Sequence, residues 1–288
     1  MNDIAITRPE FVRETRAGNL GVVERPLGLG ERLYDQTAIR KGLILLGLAL
    51  LWQLYAYHVD DPLLFPSLTD TMSALWHSLR DGALPRHCAI SLKTLAAGYA
   101  IGLALAALLT VVANSSRIGT DLLETLTSMF NPLPAIALLP LALLWFGLGD
   151  ASLVFVLVHS VTWAVALNTH SGFRSVSPTL RMVGRNFGLR GLRYVGRILI
   201  PAAFPSILTG LKIGWAFAWR TLLAAELVFG VSSGSGGLGW FIYENKNALN
   251  IPNVFAGLLT VILIGLFVEN GVFGLLEQKT VRRWGMQH

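Results

Sequence analysis

The sequence has a single cysteine, Cys88, which excludes an intrachain disulfide and leaves the redox compartment undefined. Charge is scarce as well. Only 14% of the 288 residues are Asp, Glu, Lys or Arg, against 53% hydrophobic, which is more apolar surface than one soluble core absorbs. No Walker pattern G-x-x-x-x-G-K-[ST] occurs, so the chain offers no phosphate cradle of that kind. No paired-carboxylate, Cys/His or Ser-His-Asp spacing suggests catalysis. His159 and His170 share a helix face, but two histidines make a weak metal signal, and ordinary packing or hydrogen bonding is the expected role. No series of intramembrane acids suggests a proton relay or ion coupling. The chain therefore reads as neither an enzyme nor a metalloprotein, and as having no cofactor of its own.

What is present is a set of long apolar runs. At about 20 residues per crossing, they predict about six transmembrane helices, near 42–58, 91–113, 124–146, 152–170, 204–229 and 254–276. The first 41 residues mix acids and bases without an apolar core, so they read as a tail and not as a cleavable leader. The net charge of +6 matters less than its placement, and nothing in that placement points to nucleic acid.

With six spans and both termini inside, the tail arginines and Lys41, Arg117, the six arginines from Arg174 to Arg197, and Lys279, Arg282 and Arg283 are cytoplasmic. Arg80, Arg86 and Lys246 fall outside, so seventeen basic residues lie inside against three outside. Because basic loops resist translocation, this asymmetry orients the chain.

Between the first two spans, Ser67 is placed to cap a helix with Asp70 in its first turn, and Leu68, Met72, Leu75, Trp76 and Leu79 fall on one face. This predicts a short helix on the outer membrane surface. The third span carries Pro132, Pro134 and Pro140. Each removes a backbone donor, and the freed carbonyls need protein or water partners in a bilayer, so this segment suits a bundle interior along a solute path or a kink for packing.

The fifth span has Gly210, Gly214 and Ala218 at four-residue spacing, a small face for close helix packing. It also holds Arg220 and Glu226. A deep arginine costs on the order of 3 kcal/mol and needs either an anionic solute or an ion pair with another helix. Six residues of separation place Glu226 off its face. The outer segment after this span is glycine-rich and suits a tight re-entrant or gating loop.

Between the fourth and fifth spans, "RMVGRNFGLRGLRYVGRILIP" carries arginines at 181, 185, 190, 193 and 197, broken by Gly184, Gly188 and Gly191. This pattern suits two short helices joined by a turn, with Pro201 and Pro205 marking re-entry into the bilayer. Such a basic pair is a lever for a cytoplasmic partner, or an anchor against lipid headgroups.

This stretch resembles the cytoplasmic loop of permease subunits of ATP-binding-cassette importers, E-A-A-x-x-x-G, nine residues, then I-x-L-P. Gly188, Ile198 and Pro201 fall at the matching spacing, with Ile200 at the leucine position, while Met182, Val183 and Gly184 replace the E-A-A triplet. The blocks "NPLPAIALLPLALLWFGLGD", "NTHSGFRSVSP", "IPAAFPSILTGLKIG", "AAEL" and "GLG" are similar to the nitrate, sulfonate, taurine and bicarbonate branch of that family.

The resemblance implies an all-α type I importer permease fold with both termini cytoplasmic, in a bacterial inner membrane. It implies a tail at 1–41, a first helix and periplasmic amphipathic helix at 42–90, a core at 91–277 with a coupling loop at 172–200, and a C-terminal tail at 278–288. Expected partners are a cytoplasmic ATPase dimer that binds ATP and Mg, a periplasmic solute-binding protein, a second copy of the chain and the lipid bilayer. With the family's glutamate missing, neighbouring arginines such as Arg181, Arg185 and Arg190 are expected to take more of the docking. Pro132, Pro134, Pro140, Arg220 and Glu226 are expected along the path of a small, mostly anionic solute. The alternatives are a self-sufficient secondary transporter or channel, and a membrane enzyme.

Overall fold

Long apolar runs force helix formation, because a bilayer offers backbone N–H and C=O groups no other partners. The computed structural model describes residues 36–229 and 236–283, and every regular element among them is helical. The tail expected before Gln36, the residues 230–235 of the glycine-rich segment and the last five residues lie outside the described residues. The chain divides into two units between Leu51 and Trp52.

Helix α1, Thr37–Val59, contributes its first part to the first unit and its last residues to the second. Within the second unit, α2 is Leu68–Arg80, α3 is Ala83–Ser115 and α4 is Arg117–Phe130. Then come a 3-10 turn at Ala135–Leu138 and α5 at Leu139–Phe146. They are followed by α6 at Asp150–Ser175, α7 at Pro178–Asn186 and α8 at Gly191–Tyr194. A π-helical turn over Val195–Leu199 leads into α9, Ile200–Phe229. Last come α10, Leu238–Asn247, α11, Ile251–Leu266, and α12, Gly274–Glu277, which has a π-helical turn on each side.

Five helical segments are long and apolar enough to cross a membrane: Thr37–Val59, Ala83–Ser115, Asp150–Ser175, Val195–Val228 and Ile251–Arg282. The expected third span differs. It is a broken pair, Arg117–Phe130 and Ala135–Phe146, bent by 86°. Two prolines within three residues, Pro132 and Pro134, remove consecutive donors from the ladder, and the helix cannot pass through them.

α6 is the hub of the second unit, packed by α3 on one side and α9 on the other. Glycines set these close approaches. A Cβ on Gly98 would stand 2.6 Å from Leu157 Cβ, and one on Gly102 would stand 2.7 Å from Val161 Cβ, so α3 lies directly on α6. On α9, a Cβ at Gly210 would meet Asn168 Cβ at 2.8 Å, one at Gly214 would meet Val165 Cγ2 at 3.0 Å, and Ala218 is fully buried. This is small-residue packing as membrane helices use it, with backbones close enough for dense van der Waals contact.

α2 is capped by Ser67, whose Oγ accepts from Asp70 N at 3.0 Å. A polar relay fixes it to the C-terminal helices: Ser78 donates to Asn253 at 3.2 Å, and Asn253 donates to Asn245 at 3.0 Å. Lys212 on α9 pairs with Glu277 on α12 at 2.6 Å, so this intramembrane lysine is neutralised by another helix.

Candidate translocation site

The break at Asn131–Pro134 leaves space between the end of α4 and the faces of α6 and α9. Leu133 N reaches back only to Phe130 O at 3.2 Å, and Ala137 N to Pro134 O at 2.9 Å, so the chain turns sharply and restarts as a tight 3-10 turn. The gap is a cavity of about 330 Å³, within the range of small-molecule sites.

Its walls come from three elements. The break supplies Phe130, Asn131, Pro132, Pro134 and Ile136. From α6 come His159, Ser160 and Trp163, and from α9 come Phe217, Arg220, Thr221 and Ala224. The last four are spaced i, i+3, i+4 and i+7, the signature of one helix face. Phe130 stacks on Trp163 with centroids 5.2 Å apart and planes at 13°, and the His159 ring stands edge-on to both. Ser160 donates to Thr221 Oγ1 at 3.1 Å, joining α6 to α9 in the wall.

Three polar groups of this cavity lack a protein partner among the described residues: the Arg220 guanidinium, both ring nitrogens of His159, and the Trp163 indole N–H. Arg220 is exposed into the gap and not buried against a carboxylate. An unpaired arginine within a span reads as functional, and buried donors without acceptors cost about 1–3 kcal/mol each. His170 lies elsewhere, lining a second cavity with Arg117, Arg174 and Arg181.

Pro140 does not line the first cavity; it sits in the first turn of α5. Neither does Glu226, which is 4% exposed and fully engaged. Ser91 Oγ lies 2.7 and 2.9 Å from its two carboxylate oxygens, and Gly239 N donates to Oε2 at 2.7 Å. Leu238 N in turn donates to Ser91 Oγ at 2.7 Å. Glu226 thus receives the N-terminus of α10, where free N–H groups and the helix dipole favour negative charge. Cβ atoms on Gly237 or Gly239 would strike this carboxylate group, so the Gly-Leu-Gly segment is shaped to the latch. Nothing in the local sequence around Ser91 signals a partner 135 residues away.

The basic segment forms a hairpin of helices. Ser177 caps α7 with Pro178 at its first position, and Gly188 and Gly191 take positive φ, 71° and 55°, to turn the chain. α8 is not a separate helix, since it runs through the π-helical turn into α9. Gly184 is buried, and a Cβ there would meet Ile198 Cγ1 at 2.9 Å and Tyr194 Cε2 at 3.0 Å. Arg181 donates from Nε to Val176 O at 3.1 Å and from Nη2 to Phe173 O at 2.5 Å. Its guanidinium therefore closes the C-terminal end of α6. Met182, Val183, Arg185, Phe187 and Arg190 face outward, and Phe187 is 81% exposed. Phe187 is the most exposed large hydrophobic side chain described in the hairpin, and sequence reasoning centred on the arginines passed it over.

This arrangement of broken helix, cavity and outward hairpin lies within the region matched by a family profile, the binding-protein-dependent transport system inner membrane component, over residues 98–282. The chain belongs to that family. A chain from Methanocaldococcus jannaschii named as an ABC transporter permease is 31% identical, over 77% of this chain and 84% of its own length. One from Escherichia coli named as an aliphatic sulfonates transport permease is 29% identical, over 83% and 89%. One from Synechocystis named as a nitrate import permease is 31% identical, over 62% and 64%. Within the binding-protein-dependent permease family, the chain is an all-α, multi-pass membrane component of the type I permease fold.

Proposed function

We propose that the chain is the permease subunit of an ATP-driven importer in a bacterial inner membrane, and that it forms the path for a small organic or inorganic anion. The observation that carries this reading is Arg220: a guanidinium with no counter-ion among the described residues, on the wall of a cavity at the break of a membrane span. The names of the sulfonate and nitrate relatives support an anion.

On this reading a periplasmic binding protein delivers the solute, two copies of the chain make the pore, and both termini are cytoplasmic. ATP and Mg belong to a partner ATPase dimer. Its groove receives α7 and the residue that caps its end, where Met182, Val183, Arg185 and Phe187 are exposed. Closure of the ATPases pulls the hairpin, and since α8 is continuous with α9, the pull reaches the cavity face directly. The two halves then alternate between inward-open and outward-open states by rigid-body movement. The test is uptake into vesicles holding the chain, its ATPase and its binding protein. Accumulation that needs ATP and stops when the ATPase is omitted supports the importer. Uptake by the chain alone, driven by an ion gradient, replaces it with a secondary transporter.

A further inference from the structure

We propose that the partner ATPase receives the hairpin in an apolar groove edged by carboxylates, so that the cations of the docking contact come from this chain and the anions from the partner. This rests on the reading of α7 as the ATPase-docking element and adds the chemistry of the surface that takes it.

The hairpin carries charge of one sign. Between Asp150 and Glu226 the sequence has no acidic residue. Arg185, Arg190, Arg193 and Arg197 are exposed, and none of them has a counter-ion among the described residues. The acids that do form ion pairs are engaged elsewhere: Glu124 holds Arg174, and Glu277 holds Lys212 and Arg282. Arg181 is not available in the same way, because it donates to Val176 O and Phe173 O.

The apolar part of α7 stands beside this charge. Leu180, Val183 and Phe187 are exposed at i, i+3 and i+7, a strip that ends on the capping residue. At about 100° per residue, the exposed arc continues from Val183 through Met182 to Arg185. The back of the helix is fixed, since Gly184 is buried against Tyr194 and Ile198. Nine residues carry too little apolar area to hold α7 to a lipid surface, whereas a ridge already in place loses little freedom on entering a groove. A groove that covers the arc from Val183 to Arg185 takes water from the guanidinium, and a charge buried without a partner is costly. The hairpin has no acid to offer, and Met182 stands where the family's loop pattern has glutamate. The carboxylate therefore has to come from the ATPase, as a charge-assisted pair with Arg185 and a second with Arg190. A cationic groove is excluded by like charge, which selects among ATPases.

The experiment is equilibrium binding of the fluorescently labelled ATPase to the full-length chain in nanodiscs, made once with phosphatidylcholine alone and once with added phosphatidylglycerol. The dissociation constant should rise about tenfold or more between about 50 and 500 mM NaCl, equally in both lipids. Arg185→Gln combined with Arg190→Gln should weaken binding by about tenfold or more and flatten the salt dependence, while Arg185→Lys keeps most of the affinity. Phe187→Ala should weaken binding by about tenfold and leave the salt slope unchanged, which separates the apolar contact from the charged one. A water-soluble carbodiimide should join the Arg185→Lys variant to an Asp or Glu of the ATPase. All variants must elute as the wild type on gel filtration. Salt-indifferent binding, wild-type binding by the double Gln variant, arginine effects confined to the phosphatidylglycerol discs, or a complex without a carbodiimide adduct would each overturn the proposal. ATP-dependent uptake beside any of these leaves the importer reading standing and removes only the acidic groove, whereas uptake without the ATPase removes both.

Discussion

Arg220 and Glu226 both stand out as charges in an apolar run, and the structure gives them opposite situations. Arg220 faces a cavity with no partner, whereas Glu226 is buried among Ser91, Gly239 and the start of α10. Six residues at 3.6 per turn put them about 240° apart, so the helix itself separates a charge open to the cavity from one held in a buried network. Replacing Arg220 by Ala should lower the rate of anion uptake by about tenfold or more while the subunit still co-purifies with its ATPase, with Lys restoring part of the rate. Glu226→Ala should instead act on stability, because it strips the acceptor from the Gly239 N–H. A loss of about 2 kcal/mol is expected, seen as a lower thermal midpoint in detergent, and Ser91→Ala should add little on top of it, since the two share one network. That a charge sat in this span was legible from composition alone. Which charge faced the cavity was not, because the partner of Glu226 comes from a helix 135 residues earlier.

At the scale of elements, the decisive unit is the α7–α8 hairpin. The alternation of glycines and arginines made two short helices and a turn readable, and the positive φ at Gly188 and Gly191 explains why glycine stands there. Two things were not readable. Arg181 spends its donors on Phe173 O and Val176 O, and α8 runs on into the fifth span; both depend on the chain folding back on itself. The two glycines of this hairpin should fail differently. At Gly188 a side chain has open space and meets only backbone strain, about 1–2 kcal/mol, whereas at Gly184 it collides with Tyr194 and Ile198 and lifts α7 off its support. Gly184→Leu should therefore lower solute transported per ATP hydrolysed more than Gly188→Leu does, in reconstituted vesicles with both activities read together. Equal and unaltered coupling in both variants would show that the position of α7 does not matter.

For the whole molecule, apolar run lengths located five spans among the described residues, and a sixth if the bent pair counts as one, because a bilayer's thickness translates directly into residues. They did not yield the bend of 86° in the third, which depends on how two prolines redirect the chain and on what packs into the space they leave. The central claim is that energy enters through α7 from a separate ATPase on the cytoplasmic side. Its most direct test uses the single native cysteine: in a Cys88→Ser background, Phe187→Cys is probed with a membrane-impermeant maleimide on sealed vesicles of known orientation. Labelling should occur only from the cytoplasmic side and fall at least fivefold once the ATPase is bound. Labelling from the opposite side, or labelling indifferent to the ATPase, would contradict it.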